Sequence, residues 1–103
     1  MLILPIKKKW YDMILSGEKK EEYREIKPYY RSRLHSEGFL DQYGLPTLYQ
    51  GWILFRNGYS KKSPSFKALC TIDIRTGRLE WGAEPGREYY VLKILGITDV
   101  KNS

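Results

Sequence analysis

The sequence predicts a small α+β domain that is mainly β. Five or six strands form an antiparallel or mixed sheet, expected to curl into a small β-barrel, with one or two short helices near the N-terminus. Three observations carry this expectation. The chain has 103 residues, close to the commonest single-domain size, so residues 1–103 are expected to fold around one core. Helical spacing of apolar residues is confined to the first third. Beyond it, short apolar or alternating runs are separated by turn residues, which favours sequential strands.

Leu2 to Ile6 is short, apolar and β-leaning, an opening strand. Lys7 to Ser16 reads as a helix of nearly three turns, because Trp10, Met13 and Ile14 fall at i, i+3 and i+4 and Gly17 supplies the terminating residue. Lys19 to Ile26 is polar and alternating and reads as an edge strand. Strict alternation puts Lys20, Glu22 and Arg24 on one face and Lys19, Glu21 and Tyr23 on the other. Pro28 ends that strand, and Tyr29 to His35 follows as a short helix.

Residues 36–50 hold Gly38, Gly44 and Pro46 and read as a long loop with one helical turn. Trp52 to Phe55 is an apolar, buried strand followed by the hairpin signal Asn57-Gly58. Phe66 to Ile74 places Phe66, Ala68, Cys70, Ile72 and Ile74 on alternate positions, a half-buried strand. Leu79 to Trp81 reads as its continuation after Thr76-Gly77. Tyr89 to Ile97, rich in β-branched and aromatic residues, is the last strand. Trp10, Trp52 and Trp81 are expected in the core.

Composition narrows the class. Hydrophobic residues make up 42% and aromatics 15%, which excludes a disordered chain. The single Cys70 excludes an internal disulfide and any multi-cysteine zinc site, and its apolar neighbours predict a buried thiol. The apolar stretch Met1 to Ile6 is too short for a membrane span or a secretion signal, so a soluble, cytoplasmic protein is expected. His35 has no metal-ligand neighbour, and no metal or cofactor is expected.

The net charge is +6. Residues 1–33 carry Lys7, Lys8, Lys9, Lys19, Lys20, Arg24, Lys27, Arg31 and Arg33 against Asp12, Glu18, Glu21, Glu22 and Glu25, which holds most of the surplus. A localised basic surplus interleaved with tyrosines suggests a polyanionic partner, most often nucleic acid. Lysines at the start of a helix also oppose its dipole unless an anion sits there.

Gly17-Glu18-Lys19-Lys20-Glu21-Glu22-Tyr23-Arg24 spells G-x-K-x-x-E-x-R, from a helix end into a strand. Together with its place after an N-terminal strand and helix, the motif resembles the ASCH domain, a family of PUA-like β-barrels. The resemblance covers most of the chain. It implies a barrel with a cleft against the N-terminal helix that takes RNA or a nucleotide, lined or braced by Gly17, Lys19, Glu22 and Arg24. Most members of that family look like RNA-binding or coactivator-type modules; some small ones look like hydrolases of acylated cytidine nucleosides or ribonucleases. The hydrolase-type members have a hydroxyl residue where this chain has Glu22. Their separate downstream acid has no clear counterpart here.

Read as chemistry, Lys19 holds a phosphate, serves as a desolvated nucleophile or base, or simply complements the preceding helix dipole. Glu22 and Arg24 form either a surface ion pair worth about 0–1 kcal/mol, or a base-reading carboxylate beside a phosphate fork. Arg56-Asn57-Gly58-Tyr59 is placed at a barrel rim, where Arg56 meets phosphate, Asn57 a base edge and Tyr59 a base face; the other reading is a tight hairpin. Tyr30 and Arg31 add a stacking ring and a guanidinium near the motif. Glu84, Glu88 and Lys93 lie near the last strand, with no fixed relation to the cleft.

Three readings follow. The first is a module binding RNA, a nucleotide or a nucleoside through Lys19, Glu22, Arg24, Tyr30, Arg31, Arg56, Asn57 and Tyr59. The second is a small hydrolase acting on a modified nucleoside or RNA, with Lys19 and Glu22 catalytic. The third is a module that captures a protein partner on an edge strand and aromatic rim.

Overall fold

The computed structural model describes residues 1–102. It is a small α+β domain with five strands and two helices. Strand β1 is Leu2–Pro5, helix α1 is Lys8–Leu15 and strand β2 is Glu21–Arg24. Helix α2 is Pro28–Ser36, strand β3 is Gly51–Arg56 and strand β4 is Ser65–Thr76. A single 3-10 turn, Leu79–Trp81, precedes strand β5, Glu88–Lys101.

The strands form one mixed sheet in the order β1-β3-β4-β5-β2. β1 runs parallel to β3, with Leu2 opposite Ile53 and Pro5 opposite Arg56. The remaining pairs are antiparallel. A parallel neighbour requires a long crossover, and α1, β2 and α2 all lie between β1 and β3 in the chain.

Alternation on β4 buries Phe66, Ala68, Cys70 and Ile72 against Ile53 and Phe55 of β3. Ile14 of α1 and Leu34 of α2 close over this face. β5 bends twice against β4, with register shifts at Ser65/Lys67 and at Leu69/Cys70. At the first of these Asp99 adopts φ 52°. Such bulges increase strand twist; in the regular segment before them, Tyr90 to Lys93 pair with β4 along one edge and with β2 along the other.

The curl does not close the ladder. β1 and β2 are the two edges, and among the described residues no backbone ladder joins them. A side chain spans the gap instead: Arg24 Nη2, at the end of β2, donates to the carbonyl of Pro5 at the end of β1, 3.0 Å away.

Several local expectations are corrected. β2 is shorter than the alternating run 19–26: the strand is Glu21–Arg24, preceded by one further bond from Ile94 N–H to the Lys20 carbonyl at 2.9 Å, before which Lys19 turns back to the end of α1. Lys19 therefore escapes the alternation and joins the face of Glu22 and Arg24. The Asn57-Gly58 step does not form a two-residue hairpin. β3 and β4 are joined by a longer loop, closed by Asn57 N–H donating to the Pro64 carbonyl at 2.9 Å. Leu79 to Trp81 is a helical turn, and the 36–50 loop contains an isolated Leu40–Pro46 bridge in place of a helical turn.

The three tryptophans are not core residues. Trp52 points away from the buried face and is 44% exposed, because Ile53 and Phe55 take the inward positions of β3. Trp10 and Trp81 are half-buried. α1 is rolled so that Tyr11 and Ile14 are its buried residues, and Trp10 turns toward a cleft.

No helix among the described residues is long and apolar enough to cross a membrane.

Candidate functional site

The first turn of the site is made by Gly17. Its φ of +85° reverses the chain after α1, and Lys19 N–H then donates to the Met13 carbonyl at 2.9 Å. This folds Lys19 back under the end of α1. Its side chain is buried, at 2% exposure, although it carries an ammonium group. A buried charge of this kind is tolerated only when its donors are engaged.

They are engaged three ways. Lys19 Nζ lies 3.0 Å from Glu22 Oε1. It also donates to the carbonyl of Trp81. It stands 4.3 Å from the centre of the Trp10 ring, a cation–π contact. Glu22 is buried as well and divides its oxygens. Oε1 takes Lys19 and Oε2 takes Arg24 Nη2 at 2.7 Å. Arg24 continues the chain through Nη2 to the Pro5 carbonyl and through Nη1 to Tyr30 Oη at 3.3 Å.

A single polar chain therefore runs from the 3-10 turn to β1: Trp81 carbonyl, Lys19, Glu22, Arg24, Pro5 carbonyl. Two cations share one carboxylate, so the group retains one positive charge. Burial pushes the Lys19 ammonium below its ordinary pKa, and the Arg24 charge acts in the same direction; Glu22 opposes them. The Arg24 Nε–H is buried without a partner.

Above this chain lies an open cleft of about 630 Å³. Lys19, Glu22 and Arg24 form its buried floor; Trp10, Trp81 and Gly82 line it around Lys19, and Tyr30 lines it beside Arg24. Gly82 makes the wall possible: its φ is +101°, and a Cβ there would sit 2.9 Å from the Trp10 ring. The rim carries exposed ion pairs of long reach. Lys27 Nζ is 3.6 Å from Glu25, and Arg87 is 3.4 Å from Glu84 and 3.7 Å from Glu25.

A second network fastens the wall to β2. Tyr23 Oη accepts from Arg78 N–H at 2.9 Å and donates to Glu21 Oε1 at 2.8 Å. Arg75 holds the same carboxylate. Burial raises the Tyr23 hydroxyl to about 12, helped by Glu21. Burial alone would raise the Glu21 carboxyl, but hydrogen bonds from Arg75 and Tyr23 outweigh it and leave it below the usual value.

Of the residues singled out in the sequence, Lys19, Glu22, Arg24, Tyr30, Asn57 and Tyr59 all border this cleft. Tyr59 is 90% exposed at the rim. Arg31 and Arg56 are not among the lining residues. Arg31 faces a separate depression on α2. Arg56 contributes its carbonyl to Ile6 N–H at 2.8 Å, which continues the β1–β3 pairing. Glu84 reaches the rim, whereas Glu88 and Lys93 do not line the cleft.

The sequence reading missed Trp10, Trp81, Lys27 and Arg87 as cleft residues. One signal for Trp10 was available, an aromatic set directly after Lys7-Lys8-Lys9. Trp81-Gly82 offered a weaker one, a large ring beside a turn residue.

Cys70 is fully buried away from the cleft, and burial pushes its thiol up to about 12, so it supplies no nucleophile. Among the described residues no group of three or more His, Cys, Asp or Glu side chains is placed to hold a metal ion.

Comparison with family models, curated proteins and solved structures finds no match to this chain.

Proposed function

We propose that the chain is an RNA- or nucleotide-binding module of the ASCH kind, a PUA-like barrel whose open seam is bridged by Arg24. One observation carries the reading. Trp10, Tyr30 and Trp81 line the same cleft as a buried Lys19–Glu22–Arg24 group that keeps one positive charge. Rings offer stacking worth about 1–3 kcal/mol per base, and the surplus charge favours an anionic ligand. The cleft volume falls in the range of small-ligand sites, roughly 300–1,000 Å³. The arrangement of motif residues along the floor also supports the family resemblance, since all three charged motif positions meet there.

Titration with oligouridylate and with nucleoside monophosphates at low salt tests this reading. Affinity is expected to fall linearly on a log–log plot as salt rises, and Trp81→Ala is expected to weaken binding without unfolding the protein. Absence of binding to every such ligand at low salt, by a protein shown to be folded, would overturn it.

The lesser reading is a hydrolase of a modified nucleoside or RNA. It is supported by the Lys19–Glu22 contact of 3.0 Å and by the lowered Lys19 pKa. It requires Lys19 to exchange its bonds to Glu22 and Trp81 for substrate. Turnover of an acylated cytidine that disappears in both Lys19→Ala and Glu22→Gln would favour it over binding alone.

A further inference from the structure

The rim of the cleft is charged unevenly. Where Glu25 and Glu84 line it, the exposed cations are compensated, because Lys27 and Arg87 share those two carboxylates. Where Lys7, Asn57 and Tyr59 line it, no carboxylate answers the charge. The bond from Ile6 N–H to the Arg56 carbonyl, 2.8 Å, brings the chain at Lys7 alongside the chain at Asn57. Lys7 is exposed and forms no ion pair among the described residues. Residues 1–11 and 42–72 contain neither Asp nor Glu.

Past Asn57 the β3–β4 loop is a braced arm. Asn57 N–H and the Pro64 carbonyl close its base. Gly58 reverses the chain at φ +124°, where a Cβ would meet Ser63 Oγ at 2.7 Å. At the tip Ser63 N–H donates to the Ser60 carbonyl at 3.0 Å, a four-residue turn with Lys61 and Lys62 at its two central positions. Ser60 Oγ accepts from Lys62 N–H at 3.1 Å. Both lysines are exposed and form no ion pair among the described residues. Tyr59, directly before the turn, is the 90%-exposed ring of the cleft rim. Asp99, the carboxylate that β5 brings beside the start of β4, is held by Lys67 at 2.9 Å.

We infer that the ligand is a single RNA strand that leaves the cleft past Lys7 and Tyr59 and follows the β3–β4 arm, where Lys61 and Lys62 hold phosphates outside the cleft and Tyr59 stacks on a base. The inference rests on the RNA-binding reading of the cleft and extends it from a nucleotide to a strand. The path is continuous, because Tyr59 both lines the cleft and belongs to the arm. The cations along it have no carboxylate partner, so a phosphate there displaces nothing. An exposed ring followed by cations is the arrangement that holds a single strand without reading its sequence. Lysines at a turn act as point charges on phosphate, so the arm selects for length of strand.

The test compares uridine 5′-monophosphate with hexauridylate by tryptophan fluorescence, on the native chain and on Lys61→Ala/Lys62→Ala. The hexamer is expected to bind the native chain several-fold more tightly than the mononucleotide. The double variant should remove most of that advantage, leave the mononucleotide unchanged, and lower the hexamer's salt slope by about 1.4, the value for two single-strand phosphate contacts. Tyr59→Ala should weaken the hexamer several-fold with the slope unchanged. Arg31→Ala/Lys93→Ala removes the same charge from exposed residues that do not line the cleft, and should leave the advantage intact. Circular dichroism verifies that each variant is folded. If both ligands bind but the hexamer has no advantage, if the advantage and slope survive in Lys61→Ala/Lys62→Ala, or if the control variant loses as much, the strand path is wrong and the cleft reading stands. If neither ligand binds the native chain, the cleft reading fails and the path fails with it.

Discussion

Lys19 Nζ stands 3.0 Å from Glu22 Oε1, and both side chains are withdrawn from solvent. Because Glu22 also serves Arg24, its removal leaves two buried cations without a counter-charge, whereas removal of Lys19 leaves an intact Glu22–Arg24 pair. Breaking a buried pair by deleting one partner costs about 3–5 kcal/mol. Glu22→Gln is therefore expected at the upper end of that range and Lys19→Met at or below the lower end. Urea denaturation of the two variants checks the order, and equal losses would show that the carboxylate is not the shared element.

Arg24 bridges the two edge strands through Pro5. Arg24→Lys keeps the charge but loses the fork that reaches Glu22, Pro5 and Tyr30 together. The expected loss is about 1–3 kcal/mol. Amide exchange should accelerate at the ends of β1 and β2 before it does in β3 and β4. Uniform acceleration over the whole sheet would argue against a seam held by this side chain.

Gly82 combines φ +101° with a close approach to Trp10. Gly82→Ala introduces a strained backbone and pushes on the Trp10 ring, at a cost of about 1–2 kcal/mol. The Trp10 side of the cleft moves with it. Binding of oligouridylate is expected to weaken more than global stability does, as read by titration beside thermal melting.

Alkaline pH acts through Cys70 and Tyr23. Each is raised in the folded chain, to about 12, from ordinary values of 9.0 and 10.0. The native state then holds protons that the unfolded state releases, so stability is full below the unfolded pKa and falls as pH climbs toward the folded one. The decline is expected to begin near pH 9 with Cys70 and to steepen above pH 10 with Tyr23. The fully buried thiol alone accounts for about 2–3 kcal/mol by pH 11. Denaturation curves between pH 8 and 11 measure it. Cys70→Ala should delay the onset by about one unit, to the range where Tyr23 titrates.

Much of the fold was legible because its signals are local. The alternation from Phe66 to Ile74 marks β4, and the i, i+3, i+4 apolar spacing marks α1; both depend only on the period of the backbone. The same holds for Pro28 at the start of α2 and for the reversal at Gly17. The motif Lys19, Glu22 and Arg24 could be singled out, but its partition between faces could not. Strict alternation separated Lys19 from the other two, and only the break before β2 returned it to them.

What tertiary structure alone decided is what those residues meet. Lys19 bonds the Trp81 carbonyl across 62 positions of sequence, and Arg24 meets Pro5 across the open edge of a sheet. Neither contact leaves a periodic trace in the chain. The tryptophans make the same point: hydrophobicity predicts a core position, yet β3 turns Trp52 outward and the roll of α1 turns Trp10 into the cleft. By itself the sequence determined the two helices and the main strands, though not the turn at Leu79–Trp81 or the extent of β2, and that a basic, aromatic-rich region precedes residue 33. The packing of β5 against both β4 and β2 determined that this region closes on a wall from the far end of the chain, because side-chain burial is settled by neighbours distant in sequence.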